Sequence, residues 1–393
     1  MRVTEVRAWP IRVPGPDDGL MASTGIAERP GQRRASGYRV VPPYRCLFSD
    51  SLETTIVRIT TDAGIVGVGE AQAPVGPEVS ATIVNRMLAP LVEGADPTDV
   101  DVLWHRMYDA MRDRGQTGGF MLDAISAVDC ALWDVIGKAF GVPVHRLLGG
   151  RYRDRLPLYV SGISGKTRAE RLRNTAEYVE QGFGAFKMII GLSPAEDLAE
   201  ARAMRETVGP AVQLMADAHW MYDVPSAIAV GRGLEELDFR WLEAPTVPED
   251  VKGYAEIAAA LGMAVSEGET KRTRYELHRF LEARAIDLVQ PDTGRAGGIS
   301  ECRRIAALAE TYHLPYAPHL GLSMGLYIAA SVQLSAATPN FLIFEYQPSV
   351  QKWANELLTE PFVAERGHLA VSDRPGLGTD VRWDRLEPYT VRV

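Results

Sequence analysis

Residues 212–220 read VQLMADAHW, an apolar strand-like run that ends on Asp217 and carries His219 two residues on. The same shape returns as FRWLEAP at 239–245 with Glu243, MAVSEGE at 263–269 with Glu269, and IDLVQPD at 286–292 with Asp292. It recurs again as LPYAPH at 314–319 with His319 and FLIFEY at 341–346 with Glu345. Upstream, GAFKMII at 184–190 carries Lys187, and LPLYVSG at 156–162 opens the series. From Asp217 to Glu345 the polar residues recur at intervals of 26, 26, 23, 27 and 26 residues, about the length of one strand, one helix and their loops. Segments of helical period, such as PAEDLAEARAMRETVG, fill the gaps. Eight strands alternating with helices predict a parallel sheet closed into a barrel of the TIM type, within the α/β class. Chemistry in such barrels collects at the C-terminal strand ends, so these polar residues are expected at one height around one mouth.

The chain on either side is built differently. TEVRAWPIRV (4–13) and ETTIVRITT (53–61) alternate as half-buried strands do, and helical periods follow at 79–93, 98–113 and 120–140. This is a small α+β unit. Between its first strands, residues 15–45 are rich in Gly, Pro and polar residues without a period, as in a lid or a disordered segment. The expected organisation is an α+β capping domain over 1–150, the barrel over 151–350, and a C-terminal segment, 351–393, that returns to the capping domain. Apolar residues make up 46% of the 393 and charged residues 24%, as in ordinary globular proteins, and the net charge is −9. That charge argues against nucleic-acid or anionic-membrane partners. The three cysteines have no metal-ligand spacing, the N-terminus has no apolar signal core, and no run is long enough to span a bilayer, so a cytoplasmic protein is expected.

Each mouth residue alone has an ordinary reading. Asp292 can cap a helix, His319 can be a satisfied core histidine, and Lys187 can snorkel to water. In register around a barrel they form a constellation. Asp217, Glu243 and Glu269 on successive strands make an oxygen-only set that suits Mg2+, with Mn2+ as the alternative. Asp292 and His319 on neighbouring strands make a carboxylate–imidazole pair in which one ring nitrogen is fixed and the other is free to act as a base. A cation beside a base suits proton abstraction next to a small-molecule carboxylate, because the cation stabilises the enediolate so formed.

These segments resemble the enolase superfamily, and within it the mandelate racemase-like group. CALWDVIGKAFGVPVHRLLGG (130–150) resembles the family's junction between capping domain and barrel. WLEAP, SEGET and QPDTGRAGGISE resemble the segments with its second and third metal ligands and its dyad aspartate. APHLG resembles its histidine segment, and FEY its last-strand glutamate. The resemblance implies a modified (β/α)7β barrel with an α+β cap built from the N-terminus and the C-terminal tail. It also implies Mg2+, a homo-oligomer, and α-proton abstraction by His319, with Glu345 helping to hold the enediolate. Racemases of the group carry Lys-x-Lys at the end of the second strand. Here Lys187 matches the first lysine, and Ile189 stands where the second base would be. One base disfavours racemisation and suits β-elimination, so the expected activity is dehydration of an acid sugar to a 2-keto-3-deoxy acid. DAHW resembles the Asp-x-His of the group's galactonate and mannonate dehydratases, which implies that His219 is the acid for the departing hydroxyl. A one-base isomerase, such as a sugar-lactone cycloisomerase or epimerase, and a non-catalytic sugar-acid binder are the other expectations. Glu267, two residues before Glu269, is expected one layer below it on the same face, with Lys187 or Arg295 as its partner.

Overall fold

Strand alternation sets the first sheet. In the computed structural model, which describes residues 1–14, 37–41, 44 and 46–391, strand β1 (Val3–Pro14) turns Val6, Ala8, Ile11 and Val13 inward. A short ribbon of β2 (Tyr38–Val41) and β3 (Cys46–Ser49) precedes β4 (Ser51–Thr61) and β5 (Val66–Ala71), and β1, β4 and β5 form an antiparallel sheet in the order β1-β4-β5. Most of the lid expected at 15–45 lies outside the described residues. The helix Gly119–Phe140 is buried from Met121 to Gly137, wedged between this sheet and the barrel. Gly67 and Gly69 allow that approach: a Cβ on either would stand 2.4 or 2.1 Å from a carbonyl oxygen of the helix.

The barrel follows the βα rhythm. β6 (Arg155–Val160), β7 (Ala185–Ile189), β8 (Gln213–Asp217), β9 (Phe239–Glu243), β10 (Ala264–Glu267) and β11 (Leu288–Val289) pair in parallel, each with the next. Tyr316 is the whole seventh stave, bridging Val289 and Phe341. β12 (Phe344–Tyr346) then pairs in parallel with β6 and closes the ring. Local sequence starts the outer helices: Thr167 and Glu170 form a capping box at Arg168–Glu180, and Ser193, Asp223 and Asp250 cap the helices at Pro194–Val208, Val224–Glu235 and Val251–Ala260. The tail forms a helix (Pro348–Leu357) and a hairpin of β13 (Ala364–Glu365) and β14 (His368–Ala370). β14 lies antiparallel on the lower end of β6, and only later does Thr390 bridge to Ile11. No helix among the described residues is long and apolar enough to cross a membrane.

Inside the barrel the side chains are layered. Tyr159, Ala185, Met215, Trp241, Leu288, Ala317 and Ile343, one from each of seven staves, form a separate apolar cluster. Two residues on along each stave come Ser161, Lys187, Asp217, Glu243, Gln290, His319 and Glu345. A strand returns to the same face every second residue, so the polar ring stands on an apolar floor.

Candidate active site

The polar ring opens into a cavity of about 330 Å3 lined by Lys187, Ile189, Asp217, His219, Glu269, Arg295, His319 and Glu345, together with side chains of β3 and of residues 72–75 from the capping domain. A larger cavity, about 560 Å3, lies away from this mouth, between the tail and the lower end of β6, and none of these groups lines it.

His319 Nδ1 lies 2.8 Å from Asp292 Oδ2, and its Nε2 is 3.6 Å from Glu269 Oε1. Asp292 also accepts from the Gly294 N–H at 2.7 Å within its own turn, but it does not cap the following helix, whose N-cap is Gly297. Burial alone would push His319 down. The charge of Glu269, the Asp292 bond and Glu345 outweigh it and hold the imidazole up to about 9. Burial would likewise push Glu269 up, but His319, Arg295 and His219 outweigh it and hold it down to about 2. Arg295 reaches Glu269 Oε1 at 3.0 Å.

Lys187 is 2% exposed and stands among acids. Its Nζ is 2.9 Å from both oxygens of Glu243, 3.1 Å from Glu345 and 3.7 Å from Asp217. Burial would lower its pKa, but Glu243 and Glu345 outweigh it and raise the pKa well above the ordinary value. Gln290 Nε2 donates to Glu243 at 2.8 Å, and the Leu320 N–H donates to Glu345 at 2.9 Å. Burial, only partly offset by Lys187, pushes Asp217 up to about 6 and Glu243 up to about 7.

Asp217 and Glu269 line the cavity, while Glu243 lies beside it, bonded to Lys187, so the three are not a closed ligand set. Among the described residues no three His, Cys, Asp or Glu side chains are grouped tightly enough to grip an ion. The reason is visible: Lys187 holds Glu243, and Arg295 holds Glu269. The donor chemistry still fits a hard divalent cation, because the set is all oxygen and Lys187 only partly offsets the burial that holds two of its acids against ionisation.

Two expectations are corrected. Glu267 does not share a face with Glu269, and neither Lys187 nor Arg295 is its partner. Gly268 takes φ 155°, which shifts the strand by one phase. Glu267 turns to the outer wall, where Tyr254 OH donates at 2.5 Å, Thr270 Oγ1 at 3.0 Å and Trp220 Nε1 at 3.1 Å. His219 does line the cavity, but not because it follows Asp217 by two on a strand. β8 ends at Asp217, and His219 (φ 47°) and Trp220 (φ 60°) form a left-handed turn whose first N–H donates to Asp217 Oδ1 at 2.9 Å. Burial lowers the His219 pKa, against the pull of Glu269 and Glu243. Ser161 and Gln290 were missed, although the period of two would have found both. Gln72, a 3% exposed capping-domain residue, had no signal; its backbone N–H donates to Gly294 O at 3.0 Å, and its side-chain Oε1 is buried without a partner among the described residues.

The capping domain grips one side of the mouth. Glu70 on β5 accepts from Ser323 Oγ at 2.9 Å and from the N–H groups of Met324, Leu326 and Tyr327 at 2.5, 2.8 and 3.2 Å, which caps the helix Leu326–Ala337 behind His319. Ser126 accepts from the Gly297 and Gly298 N–H groups at 2.8 and 3.1 Å, Asp129 from the Ser300 N–H at 2.9 Å, and Asp123 pairs with Arg272 at 3.0 Å. On the other side, Ile189 and Met221 pack in an apolar cluster with Tyr44, Cys46 and Phe48.

Comparison with known families agrees with this architecture. The model described as "Enolase C-terminal domain-like" matches residues 170–385, and "Mandelate racemase / muconate lactonizing enzyme, N-terminal domain" matches residues 49–149. The chain belongs to the enolase superfamily. It is an enzyme of that superfamily, an α/β barrel with an N-terminal capping domain, and it resembles the mandelate racemase-like group. Its similarity to the D-galactarolactone cycloisomerase of Agrobacterium fabrum is 36% identity over 346 residues, covering 85% of this chain and 90% of the relative. Its similarity to the D-xylonate dehydratase of Haloferax volcanii is 32% over 356 residues, covering 86% and 85%. Among solved structures, a racemase from Streptomyces coelicolor with bound magnesium superposes with a TM-score of 0.85 at 28% identity, covering 99% of this chain and all of that one.

Proposed function

We propose that this superfamily member dehydrates an acid sugar, with His319 as its single base. The observation that carries the reading is the asymmetry of the cavity: a hydrogen-bonded His319–Asp292 pair is present on one side, and an isoleucine, Ile189, stands on the other. A racemase has to deliver a proton to the face opposite the one it deprotonates, and Ile189 has no group that can do so. Asp292 keeps the Nδ1 proton on His319, so Nε2 is the atom that takes the α-proton of the substrate. The residues that would hold a divalent cation are Asp217, Glu243 and Glu269. When bound, Mg2+ would supply positive charge for the enediolate and offset the Glu269 charge that keeps His319 protonated.

Lys187 and Glu345 buttress this mouth, because their mutual contact keeps a buried cation beside the substrate's acid end. The departing hydroxyl needs a proton. His219 was the expected donor, but burial lowers its pKa and so favours the neutral form, which suits it to hydrogen-bonding the hydroxyl. The imidazolium formed on His319 by the first step is then the acid, which conserves the proton. The enol released by loss of water ketonises to a 2-keto-3-deoxy acid.

The similarity to a cycloisomerase keeps a second reading in play: the same single base opening or closing a sugar lactone without loss of water. Incubation of the Mg2+-loaded protein with a panel of aldonates, aldarates and their lactones in D2O, followed by NMR, separates the two. Dehydration gives a keto acid one water lighter, and isomerisation conserves mass. His319→Asn is expected to lower turnover by on the order of 10²- to 10⁴-fold at unchanged circular dichroism. Full-rate dehydration by that variant would sink the assignment.

A further inference from the structure

The cavity lining is divided by chemistry. Its lower part carries the acids, Lys187, Arg295 and His319, which is where a substrate carboxylate and α-carbon belong. Above it, the capping side offers Cys46, Leu47, Phe48, Pro74 and Val75, continuous with Ile189 below. The polar exceptions on that side are few among the described residues. Ser49 is occupied, since its Oγ donates to Glu53 at 2.7 Å and accepts from the Ser51 N–H at 3.0 Å. Gln72 presents one buried carbonyl oxygen without a partner, and its amide nitrogen lies against Gly321, where a Cβ would meet it at 1.9 Å and His319 Cε1 at 3.3 Å. Among the described residues, the capping side therefore has the Gln72 amide beside His319 and little else to meet a hydroxyl. Further hydroxyls seated there would give up water without gaining a partner, whereas hydrocarbon would gain burial.

We propose that the substrate is an acid sugar whose end away from the carboxylate is carbon without hydroxyl groups, a terminal methyl or a ring carbon, seated against Phe48, Val75 and Ile189. The proposal rests on the acid-sugar reading of the lower site, but not on which product forms. Binding is measured by calorimetry on the Mg2+-loaded His319→Asn protein, so that turnover does not intervene. The probes are hexonates paired with their 6-deoxy counterparts of the same stereochemistry, and hexonates paired with their ring-closed 3,6-anhydro counterparts. The less hydroxylated member of at least one pair type is expected to bind on the order of 10- to 100-fold tighter, the span that an apolar pocket can discriminate. The pair type that shows the preference identifies methyl or ring.

Phe48→Asn, a half-buried position expected to tolerate the change, should cut that ratio to a few-fold. Equal affinities, tighter binding of the fully hydroxylated acids in both pair types, or a ratio untouched by Phe48→Asn would each overturn the proposal. Wild-type NMR on the same acids tests the reaction separately. Conserved mass would end the dehydratase reading and leave the affinity ratios standing.

Discussion

The two sides of the barrel mouth are held by different forces. The loops after β10, β11 and the seventh stave are tied to the capping domain by an ion pair from Asp123 to Arg272 and by hydrogen bonds to Ser126, Asp129 and Glu70. The loops after β7 and β8 meet the β3 ribbon through an apolar cluster around Phe48 and Ile189. Hydrogen bonds to buried charged groups are directional and costly to leave unmade, whereas half-buried apolar contacts slide and part cheaply. Electrostatics follow the same division. Glu269 and His319 on the tied side lock each other's charge, while Asp217 and Glu243 on the other side are pushed toward neutrality. The base is held where geometry has to be fixed, and the wall that meets variable substrate sits where contacts can adjust.

The sharpest way to break this comparison is at Glu70. Glu70→Ala strands the N–H groups at the start of the helix behind His319. At about 1–3 kcal/mol for each buried group left unpaired, urea unfolding should show a loss of more than about 3 kcal/mol. The gentler Glu70→Gln should lower kcat more than it changes KM, because it loosens the loop that carries the base. Unchanged stability in Glu70→Ala would mean that the tie is ornamental.

A middle-sized effect tests the electrostatic half. The folded pKa values of Asp217 and Glu243 lie above the unfolded values near ~4. Their ionisation therefore subtracts stability as pH rises from about 4 through the raised values of about 6 and about 7. Glu269 has the opposite sign: its contribution is present above about 4 and is lost as pH falls toward about 2. Mg2+ should therefore stabilise the fold more at pH 8 than at pH 5, the total reaching about 2.7 kcal/mol at a hundredfold excess over Kd. Asp217→Asn should abolish most of that difference in thermal-shift assays, and an equal Mg2+ response at both pH values would refute the division. The smallest effect is at Phe48→Ala, where unfolding should move by less than about 1 kcal/mol while substrate KM rises. A larger stability loss there than in Glu70→Ala would invert the comparison.

Much of this was readable in the chain. The recurring interval between acids gave the barrel, and the period of two within strands gave Lys187, Asp217, Glu243 and Glu345 a common height, because parallel staves keep their phase. The same rule misread Glu267, since one glycine can take a φ that the rule assumes no residue takes. It reached His219 for the wrong reason, because a left-handed turn can deliver a side chain to the mouth as a strand does. The ties to the cap left no local pattern at all: Glu70 and the N–H groups it accepts from are 254 to 257 positions apart. Lys187 as the common partner of Glu243 and Glu345 could not be foreseen either, because that contact is set by three staves meeting across a closed ring.

Gly268 also links two parts of the molecule. A side chain there would meet the Gln290 backbone at 2.4 Å, so the residue is pinned between neighbouring staves and its twist cannot relax. Glu267 is anchored outward to Tyr254 and Glu269 inward to Arg295, like the two arms of a lever about one fulcrum. The fit of an outer helix against its strand thus sets the aim of an acid in the cavity it never touches, and the exterior of the barrel becomes a place from which the mouth can be tuned.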